Sequence, residues 1–309
     1  MTPTDGKDVP VAFTTPVTLT GPTRQPRQML ADQSYGGHAS LHDSATAGGL
    51  GLTGAPIEGP THFSQFDPLA FACWGREWFE TGCISAHFKT MVIEGEEVTA
   101  TLDTSGGPSG RIGAVKGDGS VVLVGTASIG RTMPTELSGR LAGLGDPGEL
   151  FIVDQLTVGQ RSAAPVTVSV DMDTSNGELY PFSLRQKLDG ITEPSDWYAS
   201  ADNPWRRPIL PFEMISVLAW KSGSDFPVRG PAIGLFLDLE VRLERGPLFV
   251  GQDYRLEREV IGLGQSRRTE SHWIRTTLTD ADTGEPAATV VLHSGVFKES
   301  YAGYPADRL

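Results

Sequence analysis

Hydrophobic and polar positions follow the same course twice along this chain. In the first pass Phe63, Phe66, Leu69, Ala70, Cys73 and Trp74 recur at three- and four-residue spacings, which predicts a helix over 61–79 with one buried stripe. Pro68 suits its first turn and Gly82 its end. Alternating apolar and polar runs then predict strands near 83–90, 96–103, 111–116 and 121–129, joined by glycine-rich or acidic turns into a four-stranded antiparallel meander. In the second pass Phe212, Ile215, Ala219 and Trp220 give helical spacing behind Pro211. Strands follow near 232–245, 252–262, 267–279 and 287–297. Gly95 and Gly251 turn the chain at matching places, as do Gly119 and Gly284. A duplicated helix-plus-sheet module explains the repetition most economically.

The segments outside these runs complete the organisation. Residues 1–13 carry too little apolar pattern to fix a fold, and 17–20 reads as a short strand. The Gly-, Ala-, Ser- and His-rich stretch 30–60 suits tight turns around a pocket. Residues 134–165 read as a connection, with 150–158 available as a strand. The expected division is an N-terminal arm (1–29), a first module holding the active half (30–133), and a connection with the second module (134–309). A sheet with one apolar face must cover it, and a helix laid across each sheet does so, which makes the class α+β with sites along the helix–helix seam.

Composition narrows the function classes. A formal charge of −13 over 309 residues opposes binding to nucleic acid or anionic lipid, and no apolar run is long enough to cross a bilayer. Two cysteines make neither a disulfide framework nor a metal spacing, which points to a reducing cytoplasm. Phosphate loops, dinucleotide fingerprints, zinc-protease motifs and nucleophile elbows are missing, so no metal or cofactor is expected.

The segment Ser40-Leu41-His42-Asp43, followed by Ala47, Gly51-Leu52, Gly54 and Glu58-Gly59-Pro60 and opening into Thr61-His62-Phe63, resembles the hotdog superfamily. Together with Ile84 to Thr90 and Glu94-Gly95-Glu96, it is most similar to the MaoC-like hydratase/dehydratase branch in its fused form, over about 30–130 and 205–300. The resemblance implies a double hotdog, two antiparallel sheets each wrapping a central helix. It also implies a catalytic Asp and His from one short segment, and a glycine at the central helix start that polarises a thioester carbonyl. His42 falls on the family histidine, whereas the Asp position is Gly37, the Asn-Pro pair is Ala39-Ser40, and the His-Gly before the helix is Glu58-Gly59.

The resemblance therefore implies a hydro-lyase acting on an acyl thioester or related carbonyl metabolite, carried on coenzyme A or a carrier protein. Hydration needs a base for water and an acid for carbon. His42 can be one of these, with Asp43, Glu58 or His38 as its partner; His62 and Gly59 lie at the carbonyl end, and Trp74 offers a flat apolar contact. Each has a plainer alternative. His42 could bond a neighbouring backbone group, Asp43 could cap a short helix, Glu58 could be an exposed acid beside a helix start, and His62 could face solvent. Trp74 with Trp78 and Phe79 is better read as core, and His87, His272 and His293, on alternating strands, as surface or structural. Arg206-Arg207 and Arg267-Arg268 could hold coenzyme A phosphates or simply lie on the surface. Two other functions stay open: thioester hydrolysis by Glu58 or Asp43 with a water, and non-catalytic acyl or small-molecule binding after loss of the Asp. A fused pair fits a monomer, or a homodimer through sheet edges.

Overall fold

The computed structural model describes residues 15–34, 36–130, 133–223 and 226–309. The chain opens with β1 (Val17–Thr20), α1 (Ser44–Gly49), a 3-10 helix Gly59–Phe66, α2 (Asp67–Trp74) and α3 (Glu77–Thr81). Then come β2 (Gly82–Phe88), β3 (Val98–Thr104), β4 (Ser109–Lys116), β5 (Val121–Ile129), α4 (Glu136–Ala142), β6 (Val166–Val168) and α5 (Leu184–Gly190). The second half continues with α6 (Phe212–Trp220), β7 (Gly234–Leu243), β8 (Tyr254–Gln265), β9 (Thr269–Asp280) and β10 (Pro286–Phe297).

The predicted strands of both halves form, with ends shifted by a few residues. Their order differs from a simple meander, because β2 returns to lie outside β5. The two expected sheets join edge to edge into one sheet of ten antiparallel strands, β1-β3-β4-β5-β2-β7-β10-β9-β8-β6. The join is the ladder of Cys83 to His87 on β2 against Arg242 to Asp238 on β7. Pairing these two edges satisfies backbone groups that separate sheets would leave open. In the stretch expected as an arm, β1 pairs with β3 and Arg24 bridges Val98, while residues 1–13 lie outside those described. The optional strand at 150–158 does not form.

The single helix expected over 61–79 is three pieces. Pro68 stands in the first turn of α2, and Gly75, at φ +59°, stops it. That left-handed conformation is cheap for glycine and breaks the helix before α3. The pieces turn Phe63, Phe66 and Trp78 onto the sheet and onto α6, where Trp78 stacks on Phe212 at 4.4 Å between centroids. Each such fully buried side chain contributes about 1.5–3 kcal/mol. On the opposite face of the sheet α4 seats Leu137 against Trp273 and Val291 and donates its Leu137 N–H to Ser85 Oγ. Strand β2 is therefore covered on both sides, which accounts for its unbroken burial over Gly82 to Ala86.

Candidate active site

Between the 3-10 helix, the loop 30–42, the end of α6 and the inner face of the sheet lies a cavity of about 840 Å³. The 3-10 helix brings Glu58, Gly59 and His62 to its wall, and the turn-rich segment brings His38 and His42. His42 donates Nδ1–H to the Pro56 carbonyl at 2.7 Å, since a carbonyl can only accept. Its Nε2 is thereby left with the lone pair. Burial holds its pKa below the ordinary imidazole value, so it is a neutral base at neutral pH. His62 is buried rather than solvent-facing, pairs Nδ1 with Gln65 Oε1 at 3.1 Å, and is pushed down to about 4 by burial.

Glu58 is not the exposed acid that its place before a helix suggested. It is 4% exposed, makes no side-chain capping bond, and neither carboxylate oxygen has a hydrogen-bond partner among the described residues. Its counter-ion comes from far along the chain. Lys187 of α5 places Nζ 3.7 Å from Glu58 Oε2 and 3.6 Å from Glu213 Oε2 on α6, and donates to Thr61 Oγ1 at 3.0 Å. One cation thus serves two buried carboxylates. Burial raises both, Glu213 to about 7 and Glu58 in the same direction against the pull of Lys187. Both carboxyls therefore hold a proton more readily than an exposed glutamate does. Beneath them Asp67 accepts from Trp78 Nε1 and Tyr198 OH, both at 2.9 Å, and burial raises it to about 7.

Not every sequence candidate belongs here. Asp43 is the N-cap of α1, accepts from Thr46 N–H at 2.7 Å and does not line the cavity; those backbone bonds hold its carboxyl below the usual range. Trp74 also lies off the cavity, donating to the Gly107 carbonyl and stacking on Trp78. Gly59 is there, and the space beside it is decisive: a Cβ would sit 2.9 Å from the Phe88 ring. Gly37, at the family Asp position, has φ +79°, a conformation that disfavours any side chain. Of the arginine pairs none lines the cavity; Arg207 lies over Phe249 and bonds Gln252, and Arg268 bonds Glu299. His272 on β9, read as structural, does line the cavity. Lys187 and Glu213 were missed. A lone acid in the apolar run Phe212 to Trp220 was a signal for the second; nothing local marks the first.

A structure comparison decides the architecture. A protein described as a MaoC-domain dehydratase from Chloroflexus aurantiacus J-10-fl superposes with a TM-score of 0.54 at 14% identity, covering 92% of this chain and 95% of that one. A conserved hypothetical protein from Mycobacterium tuberculosis, described as a double hotdog, gives 0.54 at 12%, covering 93% and 97%. The chain is a double hotdog. No protein-family model matches it and no curated protein matches it by sequence. The expectation of an α+β double hotdog like that of the MaoC-like proteins therefore holds at the level of fold. In this double hotdog the two halves share one sheet, and their central helices meet at the Glu58–Lys187–Glu213 cluster. No described helix is long and apolar enough to cross a membrane, and no described group of His, Cys, Asp and Glu is placed to hold a metal ion.

Proposed function

We propose that this double hotdog is a hydro-lyase that adds water to, or removes it from, an acyl thioester. The observation that carries the reading is the meeting, on one cavity wall, of an imidazole whose Nδ1 is engaged by a carbonyl and a buried carboxyl without a hydrogen-bond partner, both beside a buried helix start. In hydration, His42 Nε2 takes a proton from water and the hydroxide oxygen bonds to the β-carbon of an enoyl thioester. Negative charge moves to the thioester oxygen, where the Gly59 N–H and His62 face it, and the Glu58 carboxyl delivers a proton to the α-carbon. Dehydration runs the same steps backwards. After each turnover His42 releases its proton to solvent and Glu58 takes one up, which resets the pair; Glu58 takes the place of the family's absent Asp. His38 also lines the cavity and is assigned to substrate contact. The substrate is carried on coenzyme A or a carrier protein, and a cytoplasmic setting fits it.

The test is incubation with enoyl-, 3-hydroxyacyl- and saturated acyl-coenzyme A thioesters, read by mass spectrometry beside His42→Ala and Glu58→Gln. Gain or loss of one water, abolished in both variants, is the expected result. Release of free coenzyme A would replace the reading with thioester hydrolysis by Glu58 and a water. Binding without turnover, insensitive to His42→Ala, would replace it with an acyl-binding protein.

A further inference from the structure

The far end of the cavity carries chemistry that the proposed reaction does not use. Its floor is the inner face of the sheet, built mainly of apolar side chains such as Phe88, Leu235, Leu237, Leu292 and Val296. Two polar residues interrupt it. His272 on β9 and Ser294 on β10 are direct cross-strand partners, and both line the cavity. His272 is 8% exposed, and its Nδ1 is buried with no hydrogen-bond partner among the described residues. No described hydrogen bond engages its ring or the Ser294 hydroxyl. Buried polar groups in folded proteins are almost always paired, so an unpaired imidazole beside a hydroxyl in an apolar wall needs a partner from outside the chain.

The local backbone serves this arrangement. The register of β10 against β7 slips between His293 and Ser294, leaving Leu237 as an extra residue on β7. Such a bulge re-aims the side chains around it and is common beside binding sites. His293, one residue earlier, points the other way, with Nδ1 on Asp238 and its ring stacked on Trp273 at 3.8 Å. Its Nε2 is also buried without a partner among the described residues, but His293 does not line the cavity.

The position fixes what could reach the pair. Phe88, against which Gly59 packs, is on β2, and His272 is three strands away through β7 and β10. At about 4.8 Å per strand the separation is roughly 14 Å. Resting on the placement of the thioester carbonyl at Gly59, we propose that His272 and Ser294 form a second recognition point, selecting acyl substrates that carry a hydroxyl or keto oxygen on the tail. A neutral imidazole offers one donor and one acceptor, as does a serine hydroxyl, which fits an uncharged oxygen rather than a carboxylate. An unsubstituted tail would bury the pair against hydrocarbon and leave both groups unsatisfied.

The experiment uses two matched pairs: decenoyl-coenzyme A with its ω-hydroxy counterpart for turnover, and saturated decanoyl-coenzyme A with its ω-hydroxy counterpart for binding by calorimetry. The expected result is a preference for the hydroxylated member of at least about tenfold in kcat/KM and in Kd, because a site built to bond a polar group rejects the analogue that lacks it. In His272→Phe and in Ser294→Ala that ratio falls toward one. Equal use of both members by the native protein, or a ratio unchanged in both variants, would overturn the proposal. Turnover without preference leaves the hydro-lyase and removes the subsite; preference in binding without turnover leaves the subsite and removes the hydro-lyase. Ser294→Ala, the smaller change, decides the matter where His272→Phe does not fold.

Discussion

Replacing Lys187 with methionine removes the one cation between two buried carboxylates while keeping most of the side chain's volume. Lys187 is 2% exposed, Glu58 4% and Glu213 1%, so water cannot take over its role. In the native protein burial already raises Glu213 to about 7. A carboxyl that holds its proton more tightly folded than unfolded gives stability at low pH that is lost as pH rises from its unfolded value toward the folded one. For Glu213 that window runs from 4.5 to about 7. Without Lys187 both folded values rise further, and the window extends above 7. At low pH, below the ordinary carboxylate value of 4.5, where both carboxyls are protonated, the variant loses the Thr61 hydrogen bond alone, about 1 kcal/mol. Near pH 8.5 it carries uncompensated buried charge, and the deficit grows to about 3–5 kcal/mol. Urea unfolding followed by tryptophan fluorescence at the two pH values, compared at matched slopes, measures the difference. An equal deficit at both, or none at the higher, would refute the shared-cation account. Glu213→Gln makes the opposite change, and in that variant the native loss of stability between 4.5 and about 7 is expected to flatten.

Four further outcomes follow from the same structure. The hydration rate is expected to fall as rising pH strips the proton from Glu58, whose carboxyl burial raises above its ordinary value, while burial lets His42 keep its base form below the ordinary imidazole value; a rate still climbing at pH 9 would count against Glu58 as acid. His42→Ala is expected to lower kcat by about 10²–10⁴ with little change in unfolding midpoint, read by steady-state kinetics beside urea melts. Asp67, raised from 3.8 to about 7 by burial, gives stability lost on the order of 4 kcal/mol between those values, and Asp67→Asn removes most of that slope in pH-dependent melts. At Gly125 a Cβ would lie 2.0 Å from the Ser85 carbonyl oxygen, so Gly125→Ala is expected to separate β2 from β5 locally at a cost above about 3 kcal/mol, seen as loss of amide protection along that ladder.

Periodicity located the strands because each half-buried strand alternates, and alternation survives without any neighbour to confirm it. It could not say that β2 lies outside β5 or that β2 and β7 join, since strand order depends on which edges meet and not on any one strand's residues. The helix over 61–79 was called continuous because its apolar spacing is; the break at Gly75 is a backbone event. His42, His62, Gly59 and Glu58 were found through a short motif with its residues close in sequence. Asp43 was drawn in by the same adjacency, although its carboxylate is spent on the Thr46 N–H. Lys187 lies 126 residues from Thr61, its hydrogen-bond partner, and has neither motif nor local pattern to reveal it. His272 was read as surface or structural from its place on an alternating strand, and alternation alone does not say that the inner face of this sheet lines a cavity.

The repetition also explains why the glycine and the histidine at a helix start line the cavity in the first half alone. The Ile57 N–H bonds the Val92 carbonyl just before the first central helix, and the Leu210 N–H bonds the Leu248 carbonyl just before the second. Setting Ile57 on Leu210 places Gly59 opposite Phe212, Pro60 opposite Glu213 and His62 opposite Ile215. Where the first half has a glycine and a histidine beside a cavity, the second has two buried apolar side chains that fill the equivalent space. Helix α6 is accordingly buried along its whole length and forms the wall for its partner, with Glu213 as the exception. A carboxylate buried on a packing helix is costly unless it answers another charge. Here it faces Lys187, which also faces Glu58, so the second half bears on how readily Glu58 keeps a proton. Glu213→Gln leaves every residue of the cavity wall in place yet removes the second claimant on Lys187. The Glu58 carboxyl should then titrate lower, and the alkaline limb of the rate profile should move to lower pH. A limb that stays put would mean that the two halves share a sheet but not a proton.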